Sequence, residues 1–479
     1  MKLSSRISFF SHDELELLRK KVFELLEKRG VKMDHPEALK MLNKEGAAVD
    51  FDGRTVRFPE AFLLEQIEKA PKSFSLVGKD GKNPLPLPNS DGTFHTRTNT
   101  GAQSWIEPET NIYRRIGLSD VATWARLADG LENIGFCAFP VPEDAPPPTA
   151  DVYALRAMLQ NTEKHIWVQP YTGESVEYLI RLSIAAAGGE GPLKANPLVS
   201  FIACSLSPLE FKHMDLDIIL QCARLGIPIQ PCSLPTAGGT GPVTEPGIAL
   251  LAAAEILVML ATAQVVRPGT PIVATPLIFS MDMRSGRSLQ SSAESMRGAA
   301  LAVQFMKTAF GIPTHTYGIG SDSPHIDGQS TSEGALRSML IGMSGADILG
   351  AAGQIEVATT ISPVQLVIDN EVLGVVKRIL SKMTFDEDTL AWEELMDMPA
   401  GGNFLASNHT FRHCRDGLLP TNFTRSTRAG WDNQGKRDLI SRAAAFAKDL
   451  LADRDSLPLD ELELKEMDSI VHAADSHLS

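Results

Sequence analysis

Apolar residues recur at helical spacing near the start of the chain. The residues that share one helical face are Leu15, Leu18, Val22, Leu25 and Leu26. Ser11 and Glu14 precede most of this face with the spacing of a capping box, and Gly30 follows it. The pattern predicts an amphipathic helix over residues 11–29.

Several short elements follow this helix before the pattern changes. The sequence favours a second short helix, a hairpin around Asp52-Gly53, a helix from Pro59 to Lys69 and a strand from Phe74 to Val77. Helices and strands mixed in this way are typical of an α+β unit. We therefore predict an N-terminal α+β cap over residues 1–92.

From residue 93 onward, short apolar runs alternate with longer helical patterns. The runs are Phe94–Thr100, Ile134–Pro140, Ile166–Tyr171, Leu198–Cys204, Pro228–Leu234, Ile272–Ile278, Thr314–Ile319 and Ile348–Gly353. Such alternation predicts parallel strands joined by crossover helices. Because an open doubly wound sheet has about six strands, a larger set of short strands favours closure. The predicted fold class is α/β, with a TIM (β/α)8 barrel over residues 93–382.

The predicted barrel helices include Pro208–Leu225, Val243–Val266, Ser288–Phe310 and Pro363–Ser381. We predict that residues 383–479 form a C-terminal extension that packs on the barrel.

Charge and composition exclude several classes of protein. The 479 residues carry a formal net charge of −14 without a run of Lys or Arg, whereas phosphate recognition needs a basic field, so we expect no nucleic-acid partner. The N-terminus lacks the apolar segment of a signal peptide. The five scattered cysteines suit reduced thiols. These features predict a cytoplasmic protein.

The most apolar stretch runs from Pro246 to Val266. Glu255 and Gln264 interrupt it, which indicates a buried barrel helix rather than a membrane span. Large apolar barrel helices of this kind also favour self-association, and we predict a homo-oligomer.

In a TIM barrel the active site lies at the carboxyl ends of the strands. The polar and aromatic residues that the predicted strands place there are Asn99, Gln103, Gln169, Tyr171, Ser205, Thr275, Tyr317, Gln354 and Glu356. The alternative role of each is to anchor a loop.

Two local motifs suggest ligand contacts. Gly238-Gly239-Thr240-Gly241 precedes a helix, where anions bind, but lacks the residues and spacing of a nucleotide-binding loop. We expect a tight loop whose backbone approaches a ligand closely, and Gly238, Gly239, Thr240 and Gly241 are our candidates for cofactor contact. His409 and His413 stand four residues apart, but a third ligand of suitable spacing is missing, so we predict no protein-bound metal.

Several motifs have an order and spacing that resemble a known family. They are Thr236–Thr244, Gly320-Ser-Asp-Ser323 with Asp327 and Gln329, Ser344-Gly-Ala-Asp347, Gly401-Gly-Asn-Phe-Leu405 and His409-Thr410. Together with the cap and the segment Asp369-Asn-Glu371, they make the chain similar to the trimethylamine methyltransferase superfamily over essentially its whole length.

The resemblance implies a barrel that transfers a methyl group from an amine to the cobalt of a corrinoid (cobalamin), carried by a separate cognate protein. In the founding archaeal members a pyrrolysine lies in the loop that corresponds to about Ser323–His325. This chain has Ser323-Pro324-His325 there. The resemblance therefore implies the branch without pyrrolysine and a quaternary amine donor, with glycine betaine as the best candidate.

A quaternary amine suits a site without pyrrolysine for a chemical reason. It is already positively charged, and loss of a methyl group to reduced Co(I) releases a neutral amine without proton transfer, so the hard chemistry belongs to the cofactor. Aromatic faces are the best receptors for such a cation. The candidate aromatic residues are Phe139, Trp167, Tyr171, Phe279 and Tyr317, with Phe404 from the 401–410 segment. Each could instead belong to the core.

Polar residues complete the predicted site. If the donor carries a carboxylate, His409, His315, Asn99 or a loop amide would hold it. The residues that we expect to face the methyl transfer as electrostatic or positioning groups are Asp322, Gln329 and Glu356, with Gln354 nearby.

Other interpretations stay open at this level. The same chemistry could use carnitine, proline betaine or trimethylamine as the donor. A different class of function is a barrel without catalysis that only binds a betaine. A neighbouring gene for a small corrinoid protein would favour the enzyme.

Overall fold

The computed structural model describes residues 7–457 and 461–478, and a closed barrel forms its centre. The barrel strands, in chain order, are β1 (His95–Thr98), β2 (Cys137–Ala138), β3 (Ile166–Val168), β4 (Val199–Cys204), β5 (Ile229–Ser233), β6 (Thr275–Pro276), β7 (His315–Tyr317) and β8 (Ile348–Ala352). Chain neighbours pair in parallel from β2 to β6 and from β7 to β8. Single bridges between Arg97 and Phe136 and between Ala274 and Thr314 join the remaining neighbours. Because β8 pairs with β1, the sheet closes, and the predicted TIM barrel is confirmed.

A helix follows each barrel strand on the outside of the barrel. These helices are Leu118–Gly130, Ala150–Asn161, Val176–Ala186, His213–Leu225, Glu245–Val266, Ala293–Phe310, Gly328–Ser344 and Pro363–Leu380, and a short helix Glu190–Ala195 follows the third of them. Glu245–Val266 is long and apolar enough to span a bilayer, but 89% of its most apolar stretch is buried inside the protein. It is a core helix of the barrel, covered by the cap and by its neighbours.

The N-terminal cap contains the helices His12–Lys28, Pro36–Lys44 and Glu60–Lys69. Its small sheet contains the strands Val31–Met33, Ala48–Asp50 and Thr55–Arg57, and Glu210–Phe211 from the barrel loop after β4 pairs in parallel with Val31–Met33. The sheet therefore spans cap and barrel. The bounds 1–92, 93–382 and 383–479 remain predictions.

A hairpin of Phe74–Leu76 and Leu85–Leu87 covers the amino-terminal end of the barrel. Leu76, Leu85 and Leu87 are buried in the same apolar cluster as barrel residues such as Phe136. His165 Nδ1 lies 2.8 Å from the Val77 carbonyl oxygen, and His95 Nε2 lies 2.9 Å from that of Pro86. The connection between the two strands contains a 3-10 turn, Lys79–Gly81, and the hairpin closes the base.

Two small sheets surround the opposite end, the mouth of the barrel. Ser104–Ile106, Tyr113–Arg115, Gln354–Ile355 and Thr360–Ile361 form one, which links the loops after β1 and β8. Thr236–Ala237, Phe279–Met281 and Ser288–Leu289 form the other, which links the loops after β5 and β6. A 3-10 turn Pro147–Thr149 follows β2.

Two predicted helix starts are wrong for a common reason. The helix predicted from Pro208 begins at His213, because Glu210–Phe211 joins the cap sheet. The helix predicted from Ser288 begins at Ala293, because Ser288–Leu289 joins the sheet at the mouth. In both places pairing with a distant strand overrides the local helical pattern.

The C-terminal extension contains an exposed segment followed by helices, two of which pack on the barrel. Leu439–Ala452 packs against the barrel helices Leu118–Gly130 and Pro363–Leu380, and Glu461–Leu478 packs against Ala150–Asn161 and Val176–Ala186. The preceding residues 383–420, here called the exposed arm, contain the short helices Trp392–Asp397 and Asn408–His413, neither of which buries a side chain. A further short helix, Arg428–Asn433, follows the arm.

Candidate functional site

Aromatic side chains from neighbouring strands meet inside the barrel. The Phe279 and Tyr317 rings are 6.2 Å apart, edge to face, and the Trp167 and His315 rings are 5.5 Å apart at nearly a right angle. A second pair, Phe139 and Tyr171, has ring centroids 6.1 Å apart. The structure therefore brings Trp167, Phe279 and Tyr317 together with His315 inside the barrel, whereas Phe139 and Tyr171 belong to the other apolar cluster, which includes the barrel helices.

Arg97 connects these rings, and the sequence analysis did not single it out. It lies on β1, is fully buried, and its guanidinium carbon lies 3.8 Å from the centroid of the Trp167 ring and 5.7 Å from that of Tyr317. Burial lowers the pKa of Arg97 to about 10, so the side chain is still a cation at neutral pH. The signal was an arginine inside an otherwise uncharged strand.

His315 is neutral and has a defined tautomer. Burial, with Arg97 as a neighbouring positive charge, holds the pKa of His315 well below its usual range. Arg97 Nε donates to His315 Nε2 over 3.3 Å, so the proton lies on Nδ1, 3.0 Å from the Gln230 side-chain oxygen. Gln230 in turn donates to Ser200 Oγ over 2.9 Å. This network orients the histidine without adding a charge.

Asn99 and Gln354 lie where β1 and β8 end, and both are buried. Asn99 Nδ2 donates to the Ala358 carbonyl oxygen over 3.3 Å, whereas its Oδ1 has no partner. Both side-chain polar atoms of Gln354 also lack a partner, as does the Tyr171 hydroxyl. Buried polar atoms are normally hydrogen-bonded, so these atoms need a bound molecule or water to complete them.

The loop after β8, here called the mouth loop (residues 354–360), has an unusual backbone. Glu356, Val357 and Ala358 have φ values of +52°, +54° and +74°, a region that side chains other than glycine rarely adopt. Val357 and Ala358 pack against the apolar cluster inside the barrel. Their neighbour Glu356 accepts a hydrogen bond from Thr360 Oγ1 over 2.7 Å. The predicted residue Glu356 therefore belongs to a strained loop at the mouth.

Asp322 and Gln329 make contacts that hold local structure. The Asp322 carboxylate accepts from the backbone N–H groups of Gln290 and Ser291 over 3.0 and 2.9 Å, and burial raises its pKa. Gln329 is exposed and donates to Glu333 over 2.8 Å. Asp322 joins two barrel loops, and Gln329 lies in the first turn of an outer helix.

The glycine-rich loop is exposed at the end of β5. Gly238 donates to the Gly241 carbonyl oxygen over 3.0 Å, and Thr240 Oγ1 accepts from the Thr236 N–H group over 2.9 Å. Gly239 lies between these contacts, and the loop lies on the rim rather than inside the barrel.

Phe404 and His409 belong to the exposed arm. The His409 N–H group donates to Glu394 over 3.1 Å, and its ring lies 4.5 Å from that of His413. His413 contacts Asp388 and Asp416. These contacts join the arm to itself and do not connect either residue with the rings inside the barrel. Among the residues that the structure describes, no three His, Cys, Asp or Glu side chains converge as a metal site would require.

Glu255 is a second polar residue whose role the sequence analysis did not assign. It is fully buried in the helix Glu245–Val266 and accepts hydrogen bonds from the hydroxyl groups of Ser205, Ser207 and Ser233 and from the Leu209 N–H group. It therefore fixes the loop after β4 against β5. A lone carboxylate within an apolar helix requires such partners, which was the available signal.

The chain matches the trimethylamine methyltransferase family over residues 2–476. It is 30% identical over 475 residues to a trimethylamine methyltransferase of Methanosarcina barkeri (strain Fusaro / DSM 804), covering 98% of this chain and 95% of the relative. It is 26% identical over 450 residues to a glycine betaine methyltransferase of Desulfitobacterium hafniense (strain Y51), covering 93% and 92%.

A solved structure shares the fold. The crystal structure of the Methanosarcina barkeri monomethylamine methyltransferase aligns with a TM-score of 0.55 at 14% identity, covering 95% of this chain and 90% of that one. At this identity the likeness concerns the fold alone. From the match along nearly the whole sequence, we conclude that the chain belongs to the trimethylamine methyltransferase family.

Proposed function

We propose that the protein transfers a methyl group from a quaternary amine, with glycine betaine as the best candidate, to the Co(I) of a corrinoid carried by a cognate protein. The observation that carries this proposal is the group of rings inside the barrel, Trp167, Tyr317 and Phe279. Phe139 and Tyr171 remain proposed substrate contacts. Aromatic faces bind a desolvated quaternary ammonium by about 2 kcal/mol or more through cation–π attraction.

In this reaction the protein has to position the methyl donor and remove water from its ammonium group. The acceptor supplies the nucleophile, and a quaternary donor leaves as a neutral amine without a proton transfer. Phe279 and Tyr317 would hold the ammonium group, and the buried surroundings of Tyr317 and Trp167 would exclude water. Asp322, Gln329 and Glu356 remain proposed electrostatic or positioning groups, with Asp322 and Glu356 acting through the loops that they hold.

The glycine-rich loop is our proposed contact for the corrinoid or its carrier protein. Gly238, Gly239 and Thr240 are exposed, and the neighbouring Val243 and Met283 side chains are 68% and 71% exposed. An acceptor that reaches the mouth would meet these residues. We further propose a cytoplasmic location, a homo-oligomer, and no nucleic-acid or membrane partner.

A donor panel tests the proposal. The purified protein is mixed with a Co(I) corrinoid protein from the same organism and with glycine betaine, carnitine, proline betaine or trimethylamine, and the absorbance of the corrinoid reports methylation. We expect methylation from glycine betaine. Transfer from carnitine or proline betaine alone would change the donor, and transfer from trimethylamine alone would contradict a quaternary donor. Binding of a betaine without methylation by any donor would favour the non-catalytic barrel.

A further inference from the structure

Arg97 is a buried cation without a buried counter-charge. Its Nη1 donates to the Thr98 carbonyl oxygen over 2.6 Å and its Nε to neutral His315, whereas its Nη2 has no partner at hydrogen-bond distance. The Tyr317 hydroxyl, a more distant neighbour, also favours the charged form of Arg97. The groups that surround it, Trp167, Tyr317 and Cys232, are neutral at pH 7. Among the described residues no carboxylate forms an ion pair with it.

Such a charge is costly inside a protein. A buried ion normally has an opposite charge, because the attraction offsets part of the loss of hydration. Arg337, a second fully buried arginine, differs in charge compensation: Asp322 and Glu333 are nearby carboxylates, and it bonds to backbone oxygens, although its Nη2 also lacks a partner. Arg97 lacks that compensation and would gain it from a ligand.

The surroundings hold the guanidinium in one place. The guanidinium carbon lies over the Trp167 ring, and Gln230 orients His315. A Cβ atom at Gly350 would lie 2.7 Å from Arg97 Nη2, so the glycine leaves the space that the guanidinium occupies. The Trp167 indole N–H is also buried and has no partner. Two unpartnered donors, one of them charged, therefore belong to groups in direct contact.

We propose that Arg97, with the Trp167 indole N–H, binds the carboxylate of the methyl donor. This inference rests on the proposed function and narrows its substrate class to quaternary amines that carry a carboxylate. The carboxylate would lie against β1 and β3, and the ammonium group would lie toward Phe279 and Tyr317 near the strand ends, with its methyl groups toward the mouth. A donor without an anionic group would leave Arg97 uncompensated beside a second positive charge.

Binding, measured without methyl transfer, tests the assignment. The probe is 3,3-dimethylbutanoate, which has the shape and carboxylate of glycine betaine but carries a carbon in place of the nitrogen and has no methyl group to donate. Its neutral counterpart is 3,3-dimethylbutan-1-ol. We expect calorimetry on the wild-type protein to show the carboxylate binding about a hundredfold more tightly than the alcohol, in line with a hydrogen bond to a charged group.

Substitutions test whether Arg97 and Trp167 cause the preference for the carboxylate over the alcohol. R97M removes the charge and is expected to weaken carboxylate binding about a hundredfold while changing alcohol binding little. R97K keeps the charge but loses the planar guanidinium, and W167F loses the N–H group but keeps an aromatic ring. We expect each variant to bind the carboxylate about tenfold more weakly than the wild-type protein. K377M, which removes the buried lysine beside Phe94 on the outer helix Pro363–Leu380, is the matched control and should leave the preference unchanged.

The outcomes separate this inference from the proposed function. Equal binding of carboxylate and alcohol by the wild-type protein overturns it, and this comparison does not depend on whether R97M folds. An unchanged preference in folded R97M also overturns it. Carboxylate binding that depends on Arg97, in a protein that methylates no corrinoid, supports the anion site and contradicts the methyltransferase proposal.

Discussion

Asp369 is a buried carboxylic acid whose protonation we expect to affect stability. It lies in the helix Pro363–Leu380, accepts hydrogen bonds from the Gly353 N–H group and Gln365 Nε2 over 2.7 Å each, and burial raises its pKa to about 7. The unfolded value is about 3.9. The folded state therefore binds the proton more tightly, and the free energy of unfolding falls as pH rises between these values.

We predict that D369N removes this part of the pH dependence. The pKa difference corresponds to as much as about 4 kcal/mol, all of it lost by the wild-type protein above about pH 7 and none below about pH 4. Urea denaturation of both proteins at pH 5 and pH 8 should show the variant gaining relative to wild type at the higher pH. D52N, at an exposed turn, is the control. A constant difference between D369N and wild type at the two pH values would contradict the assignment.

At the residue scale, the sequence located aromatic candidates better than the charged one. Trp167, Tyr317 and Phe279 could be selected because they lie at or near the ends of apolar strands, and their proximity follows from barrel closure. Arg97 lies in the same predicted strand as Asn99, but the direction of its side chain and the absence of a counter-charge depend on residues far along the chain, such as His315. The sequence of one strand therefore cannot show that Arg97 is buried without a counter-charge.

The mouth loop shows how an element can store strain beside a candidate site. A residue other than glycine with a left-handed backbone costs about 1–2 kcal/mol. Ala358 pays this cost while its carbonyl oxygen accepts from Asn99, and the Val357 N–H group donates to the Ser321 carbonyl oxygen over 3.2 Å. The loop thereby connects the end of β8 with the loops after β1 and β7.

We predict that A358G separates stability from function. Glycine relieves the strain but adds freedom to the unfolded chain, so the free energy of unfolding should stay the same or rise by about 1 kcal/mol. The looser loop should slow methyl transfer about tenfold, because the site depends on position. Thermal unfolding and the corrinoid assay measure the two effects. A203G, in the regular part of strand β4, is the control and should lose stability. Unchanged transfer in A358G would show that the loop's rigidity is not needed.

The elements themselves followed closely from the sequence. The eight apolar runs correspond to the eight barrel strands because a buried parallel strand is short, apolar and flanked by turns. The errors at Pro208 and Ser288 arose where a short segment pairs with the cap sheet or the rim sheet. Phe404 and His409 were expected at the mouth and lie in the exposed arm, and motif order alone gives no position in space, so their role stays a prediction.

At the scale of the whole molecule, the exposed arm replaces the apolar helix as the ground for expecting a homo-oligomer. The apolar helix Glu245–Val266, which suggested self-association, is buried within its own chain. The exposed arm instead presents large apolar side chains to solvent, with Leu405, Phe411 and Phe385 each at least 80% exposed. Large apolar side chains that are this exposed on one segment are candidates for a protein interface. We expect a second copy of the chain to cover the arm.

The double variant L405D/F411D tests this expectation. We predict that light scattering after size exclusion finds the wild-type protein at a multiple of 51.9 kDa and the variant shifted toward that mass. Both side chains are exposed, so the stability of the single chain should change by no more than about 0.5 kcal/mol each. L336D, at an exposed position on the helix Gly328–Ser344, is the control. A monomeric wild-type protein would contradict the prediction.

The hairpin that closes the base of the barrel bears on the order in which we expect donor and acceptor to bind. Leu76, Leu85 and Leu87 are buried with the residues inside the barrel, so the hairpin covers that end. In the proposed reaction we expect donor and acceptor to share the mouth at the opposite end. The donor therefore enters first, and the spent amine leaves only after the acceptor protein has gone. Steady-state kinetics should be ordered, with excess acceptor protein inhibiting competitively against the donor, and random-order kinetics would require a second entrance.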